Sequence, residues 1–197
     1  MKKILSTLLA ASLMLLGTQA FAQVSVNAGY LNSTLATENS SANANGAFAG
    51  LSFNLPVAGG FAIAPGVYYS MITGKTLDLG TIAKGDLMEH AVNVPVYLNY
   101  SAALARDTKF FVFGGPTLQY GLASNVKYSS GLVDGSLTTD NYKNTNFNRM
   151  NVYLGGGLGM NAGGFIVTVG YDYGMMPQHK DSNDHRSNLK IGVGYEF

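Results

Sequence analysis

The chain has 197 residues, enough for one ordinary domain, and only 12% of them are charged, about half the usual share for a soluble protein. It contains no cysteine, which excludes a disulfide scaffold, a thiolate metal site, a catalytic thiol and a lipid-modified N-terminal cysteine. A formal net charge of +1 argues against nucleic acid as a partner.

Lys2 and Lys3 precede an apolar run from Ile4 to Leu16, and Ala20-Phe21-Ala22 supplies an A-x-A cleavage site. This pattern predicts a secretory signal over residues 1–22, cut between Ala22 and Gln23, with one domain over residues 23–197. The alternative is a retained anchor, but the run is too short to span a bilayer comfortably. Loss of Lys2 and Lys3 leaves ten Lys and Arg against eleven Asp and Glu, a small negative remainder.

The mature chain shows period-two alternation rather than a helical period. The first three segments are Val24–Leu31, Ala47–Leu55 and Phe61–Met71. The fourth, Ala91–Ser101, sets Val92, Val94, Val96, Leu98 and Tyr100 against Asn93, Pro95, Tyr97, Asn99 and Ser101. The fifth is Phe110–Ala123. In the sixth, Arg149–Asn161, Met150, Val152, Leu154, Leu158 and Met160 oppose Asn151, Tyr153, Gly155, Gly157 and Gly159. The seventh, Phe165–Met175, places Phe165, Val167, Val169, Tyr171 and Tyr173 opposite Thr168, Gly170, Asp172 and Gly174. The eighth, Ser187–Phe197, places Leu189, Ile191, Val193, Tyr195 and Phe197 opposite Asn188, Lys190, Gly192, Gly194 and Glu196.

One face is therefore large and apolar, and the other is small and almost uncharged. A soluble sandwich would turn the large face inward and clothe the outer one with Lys and Glu. Small residues instead suit the crowded interior of a narrow barrel. The pattern predicts an all-β fold: an eight-stranded antiparallel transmembrane β-barrel with apolar side chains toward lipid, closed because hydrocarbon tolerates no free edge.

The links support that count. Pro56–Gly60, Ala102–Lys109 and Ala162–Gly164 are short, whereas Asn32–Gly46, Ile72–His90, Ser124–Asn148 and Met176–Arg186 are long and polar. Strict alternation of short and long predicts tight turns and both mature termini on the periplasmic side, with loops outside. The outer loops are expected to hold Glu38, Asp78, Asp86, Asp134, Asp140, Asp181 and Asp184. Phe53, Phe61, Tyr100, Phe110, Phe165, Tyr195 and Phe197 sort toward the short-turn end, and Tyr30, Tyr69, Tyr120, Tyr171 and Tyr173 toward the loop end, as two interfacial girdles would. Pro65, Pro95 and Pro116 fall within segments and predict bulges or local breaks in the ladder.

Several motifs carry a likeness. Asn93-Val94-Pro95-Val96-Tyr97-Leu98-Asn99-Tyr100 resembles an I-P-L-hydrophobic strand. Phe111-Val112-Phe113-Gly114-Gly115-Pro116, Gly155-Gly156-Gly157-Leu158-Gly159, Gly170-Tyr171-Asp172-Tyr173-Gly174 and the closing Gly194-Tyr195-Glu196-Phe197 follow. Together, over roughly residues 88–197, they resemble the PorT-like outer membrane protein beta-barrel domain family of Bacteroidota. The terminal Phe197 is similar to the signal by which barrel assembly machinery recognises its clients. The resemblance implies an outer-membrane location and shape more than a chemistry.

Asp172 and Lys190 are expected inside the lumen at similar height, with Glu196 on the same face and Arg149 able to join the network. An internal ion pair that plugs the barrel is one reading, since an unpaired charge there is costly. Part of a proton or ion path is the other. His90, His179 and His185 are the histidines. Glu89-His90 and Asp184-His185 cannot form dyads within an extended strand, where neighbours point to opposite faces. No spacing marks a nucleophile, so no enzyme, metal or cofactor is expected. The expected function is structural or surface-interactive, through the loops, with a largely filled lumen. A narrow porin-like pore, a secretion or assembly accessory and a loop-side lipid-modifying enzyme are the alternatives. The partners implied are outer-membrane lipid, the assembly machinery and an extracellular or periplasmic protein.

Overall fold

The computed structural model describes residues 23–37, 40–78, 84–129, 136–140, 148–177 and 184–197. The signal segment, with Ala22, lies outside them, as do Glu38, Asp134, His179 and Asp181. Nine strands run through the described residues: β1 Gln23–Thr37, β2 Ser40–Ala58, β3 Phe61–Asp78, β4 Lys84–Ala105, β5 Thr108–Ser129, β6 Ser136–Asp140, β7 Met150–Ala162, β8 Phe165–Gly174 and β9 His185–Glu196.

Eight of them close a ring. β1 through β5 pair in sequence, β5 skips to β7, β7 to β8 and β8 to β9, and β9 returns antiparallel to β1. The short β6 pairs only with the top of β5, Asn125–Ser129, and stands outside the ring. The closed ladder satisfies the backbone without water, as a lipid-embedded sheet requires.

Alternation decides which side meets lipid. On β9, Leu189, Ile191, Val193 and Tyr195 face out, with Val193 60% exposed, whereas Arg186, Asn188 and Gly192 are buried. The barrel strands repeat this alternation, so the exposed surface carries most of the large apolar side chains, and the interior combines small and polar residues with a few inward rings. Outward rings gather at the two heights expected. Phe61 packs on Tyr100, and Tyr195 on Phe165 and Phe197, near the tight turns. Tyr69 stacks on His90, and Tyr173 on His185, toward the other end.

Two tight turns are Gly-Gly pairs with positive φ, Gly59-Gly60 (59° and 87°) and Gly163-Gly164 (59° and 90°). This is the backbone that a two-residue hairpin needs and that side chains resist. At the loop end the strands run further than alternation shows. β3 and β4 continue to Asp78 and from Lys84, through what reads as a loop, and β1 and β2 continue to Thr37 and from Ser40. Asp78 and Asp86 thus lie in strands, and Asp184 is buried at the top of β9 rather than in an open loop. A hairpin ladder needs only backbone partners, so polar residues extend it above the membrane with no apolar stripe to reveal it.

Pro65, Pro95 and Pro116 sit at ladder breaks without shifting register, whereas Pro56 sits at a shift on the β2–β3 seam. β3–β4 pairing stops after Pro65↔Val96 and resumes at Tyr68↔Asn93, and β4–β5 pairing stops after Pro95↔Thr117 and resumes at Leu98↔Gly114. The other register shifts lie elsewhere, as at His90/Ala91 on the β4–β5 seam.

Candidate functional site

The interior is built from glycines opposite rings. A Cβ on Gly157 would lie 2.6 Å from the Phe113 ring, one on Gly29 would lie 2.7 Å from Phe48, and one on Gly159 would overlap Phe111. The Gly-rich run of β7 is therefore the surface against which the inward aromatics of β5 pack. No phosphate loop forms there, since the run is strand throughout.

Above these rings lies a polar layer. Lys190 Nζ sits 2.5 Å from Asp172 Oδ2 and donates to the Tyr97 hydroxyl at 3.1 Å. The Tyr97 hydroxyl also lies 3.1 Å from Thr117 Oγ1 and 3.5 Å from Asp172 Oδ1. Gly155 leaves room for Asp172, whose carboxylate occupies the space a Cβ would take. A second chain crosses four neighbouring strands. Asn93 donates to Ser70 at 2.8 Å, Gln119 donates to Asn93 at 2.9 Å, and the Tyr153 hydroxyl donates to Gln119 at 3.1 Å.

Nearer the loop end, Arg186 holds Glu89 in a bidentate pair, Nη1 to Oε1 at 2.7 Å and Nη2 to Oε2 at 3.1 Å. Both side chains are buried. β4 and β9 stand opposite each other in the eight-membered ring. Glu89–Arg186 and Tyr97–Lys190 are thus two braces across the same diameter, at different heights.

Asp172 and Lys190 meet in the lumen as the sequence suggests. Glu196 does not join them. It lies on the same face six residues along β9, about 20 Å further along the strand toward the short turns, where Asn161 donates to it at 2.8 Å. Arg149 is exposed at the loop-end rim, beside the small cleft formed with Glu89, Asn151, Tyr153 and Arg186, and so belongs to the upper level. The Glu89–Arg186 brace escapes a reading of the sequence, because both residues fall in stretches that read as loops.

His90 and His185 face away from this interior. Glu89 points inward and His90 outward, so they form no dyad. The Tyr69 hydroxyl lies 2.5 Å from His90 Nδ1, and His185 Nδ1 lies 3.0 Å from the Gly174 carbonyl. Below the braces the lumen opens into a cavity of about 500 Å³ that reaches the short turns.

Solved structures repeat this barrel. The crystal structure of Ail, the attachment invasion locus protein of Yersinia pestis, in complex with the heparin analogue sucrose octasulfate, superposes with a TM-score of 0.56 at 14% identity, over 89% of this chain and 99% of that one. Neisserial surface protein A gives 0.52 at 13% identity, over 88% and 97%. The outer membrane enzyme PagL gives 0.50 at 13%, over 88% and 99%. At such identities the likeness is one of fold. No curated protein sequence matches the chain. The sequence itself matches the family described as outer membrane protein beta-barrel domain across residues 18–180, most of its length. A closed ring with an apolar exterior, a small polar interior and this match lead to one conclusion: the chain belongs to the outer membrane protein beta-barrel domain family and resides in the outer membrane.

Proposed function

We propose that this barrel is a structural or surface-interaction protein that acts through its outer loops and conducts nothing through its lumen. The observation that carries the reading is the double brace between β4 and β9, Glu89–Arg186 above and Tyr97–Lys190–Asp172 below. Both lie inside the ring, and the hydrogen-bond chain from Ser70 to Tyr153 runs along the wall beside them. An eight-stranded barrel is narrow, so two braces suffice to close its upper half, above the lower cavity.

In this reading residues 1–22 direct export and are removed at Ala22–Gln23, both mature termini are periplasmic, and Phe197 serves assembly by the barrel machinery. The PorT-like likeness supports the alternative of a secretion or assembly accessory. The four longer links carry Ser, Thr, Asn and Tyr with charges of both signs. That composition suits a protein or neutral glycan surface rather than a polyanion. Ail has been solved with a heparin analogue and PagL is an enzyme, so the same scaffold serves both binding and catalysis. Against catalysis here, outward His90 has a tyrosine hydroxyl as its hydrogen-bond partner, and Glu89 beside it is turned inward to Arg186.

Two measurements test the reading. In a planar bilayer the wild-type barrel is expected to be silent, and the Glu89→Ala/Arg186→Ala/Lys190→Ala variant to show discrete steps. Steps from the wild type would replace the reading with a pore. Shortening the four outer links above Glu89 and Arg186, with both residues kept, is expected to preserve heat-modifiable folding and abolish attachment of cells to their partner surface. Unchanged attachment would remove the loops from the function.

A further inference from the structure

The lower half of the lumen is a cup. Its cavity of about 500 Å³ runs from the short turns up to Asp172 and Lys190, a volume typical of small-molecule pockets. Its walls differ in kind. On the β5 side stand Phe111 and Phe113, whose rings lie 6.1 Å apart. Two strands away, the lower part of β3 presents the methyl groups of Ala62 and Ala64 beneath Tyr68. Between them Tyr97 of β4, paired with Ala64, packs against Phe113 with ring centroids 5.2 Å apart.

Polar groups deep in the cup satisfy one another. Asn27 donates to Ser52 at 3.0 Å and to Tyr68 at 3.3 Å, and Tyr97 is held by Thr117 and Lys190. Two acceptors do not follow this rule. The Oδ1 atoms of Asn54 and Asn99 are buried and accept no hydrogen bond, and both residues line the cavity. They sit on β2 and β4, the strands either side of β3, so the alanine floor runs between them at a spacing of two strands, about 9–10 Å. A buried acceptor without a donor is costly, and such exceptions call for a reason.

We propose that the cup is a binding site, entered from the short-turn end, for a small uncharged molecule with an apolar body and a hydroxyl or amide donor. The body lies on Ala62 and Ala64 against Phe111 and Phe113, and the donor serves Asn54 or Asn99. A charged ligand is disfavoured because the lining charges balance: Lys190 and Asp172 neutralise each other at the closed end, and Lys109 and Glu196 toward the mouth are of opposite sign. The site accompanies the shut lumen proposed above, which makes the cup a dead end, but its test does not need the loops.

The chain has no cysteine, so Ala64→Cys places a unique thiol in the cup. In lipid nanodiscs this thiol is expected to react with a small charged methanethiosulfonate reagent. Naphthol, an aromatic body with one hydroxyl, should slow the reaction saturably, and naphthalene should do so about fivefold more weakly for want of the donor. Adding Asn54→Leu and Asn99→Leu should erase that preference and leave the thiol reactive. Ser52→Cys on the neighbouring wall gives the same readout if Ala64→Cys fails to fold. An unreactive thiol, protection that does not saturate, equal protection by both compounds, or a preference that survives the asparagine changes would each overturn the proposal. Protection found in a barrel that conducts would sink the shut lumen and spare the cup.

Discussion

Arg186 is buried, and its guanidinium takes both oxygens of Glu89 from across the ring. Removing one partner breaks the bidentate pair and leaves the other buried charge less compensated, whereas removing both does not. Glu89→Gln is therefore expected to cost about 3–5 kcal/mol in a urea unfolding titration of the folded barrel, and Glu89→Met/Arg186→Met to return most of it. A double variant as weak as the single one would contradict this. The lower brace is more redundant. Asp172→Asn leaves Lys190 on the Tyr97 hydroxyl, and Tyr97→Phe leaves it on Asp172. Tyr97→Phe should cost about 1 kcal/mol in the same titration, the usual worth of one hydrogen bond, and Asp172→Asn clearly more.

At the scale of the strand, glycine and ring act as a pair. A Cβ at position 159 overlaps the Phe111 ring, so Gly159→Ala is expected to cost about 1–3 kcal/mol by overpacking. Phe111→Leu should relieve it, which a double-mutant cycle on unfolding midpoints would show as a favourable coupling. Additive losses would mean that the ring is not what Gly159 accommodates. The membrane-spanning parts of the strands were legible because one face of each must satisfy lipid and the other a narrow lumen, and period two writes that difference into residues such as Val193 and Gly192. The upper ladders were not legible, since polar pairs such as Thr34↔Asn43 carry the ladder there with no apolar stripe. In the lumen, Asp172 and Lys190 stood out as charges on a face of glycines. Glu89 and Arg186 did not, because they are 97 residues apart and meet only when ring closure sets β4 opposite β9.

For the whole molecule the decisive feature is which side of the ring faces hydrocarbon. Val193 is 60% exposed on the outer surface of β9. Val193→Arg should therefore cost about 2–4 kcal/mol if that position lies near the bilayer midplane, and reduce the heat-modifiable fraction on a gel. Fold and function both rest on this polarity, because only a barrel turned greasy side out leaves small polar groups to brace the lumen and loops to face the exterior. It is tested most directly by spin labels on single cysteines in lipid vesicles, at Val167, Val169, Ile191 and Val193 and, for contrast, at Thr168 and Asn188. The first four should be relaxed strongly by oxygen dissolved in the acyl chains, and the last two weakly. The opposite ranking, or no alternation, would contradict the account.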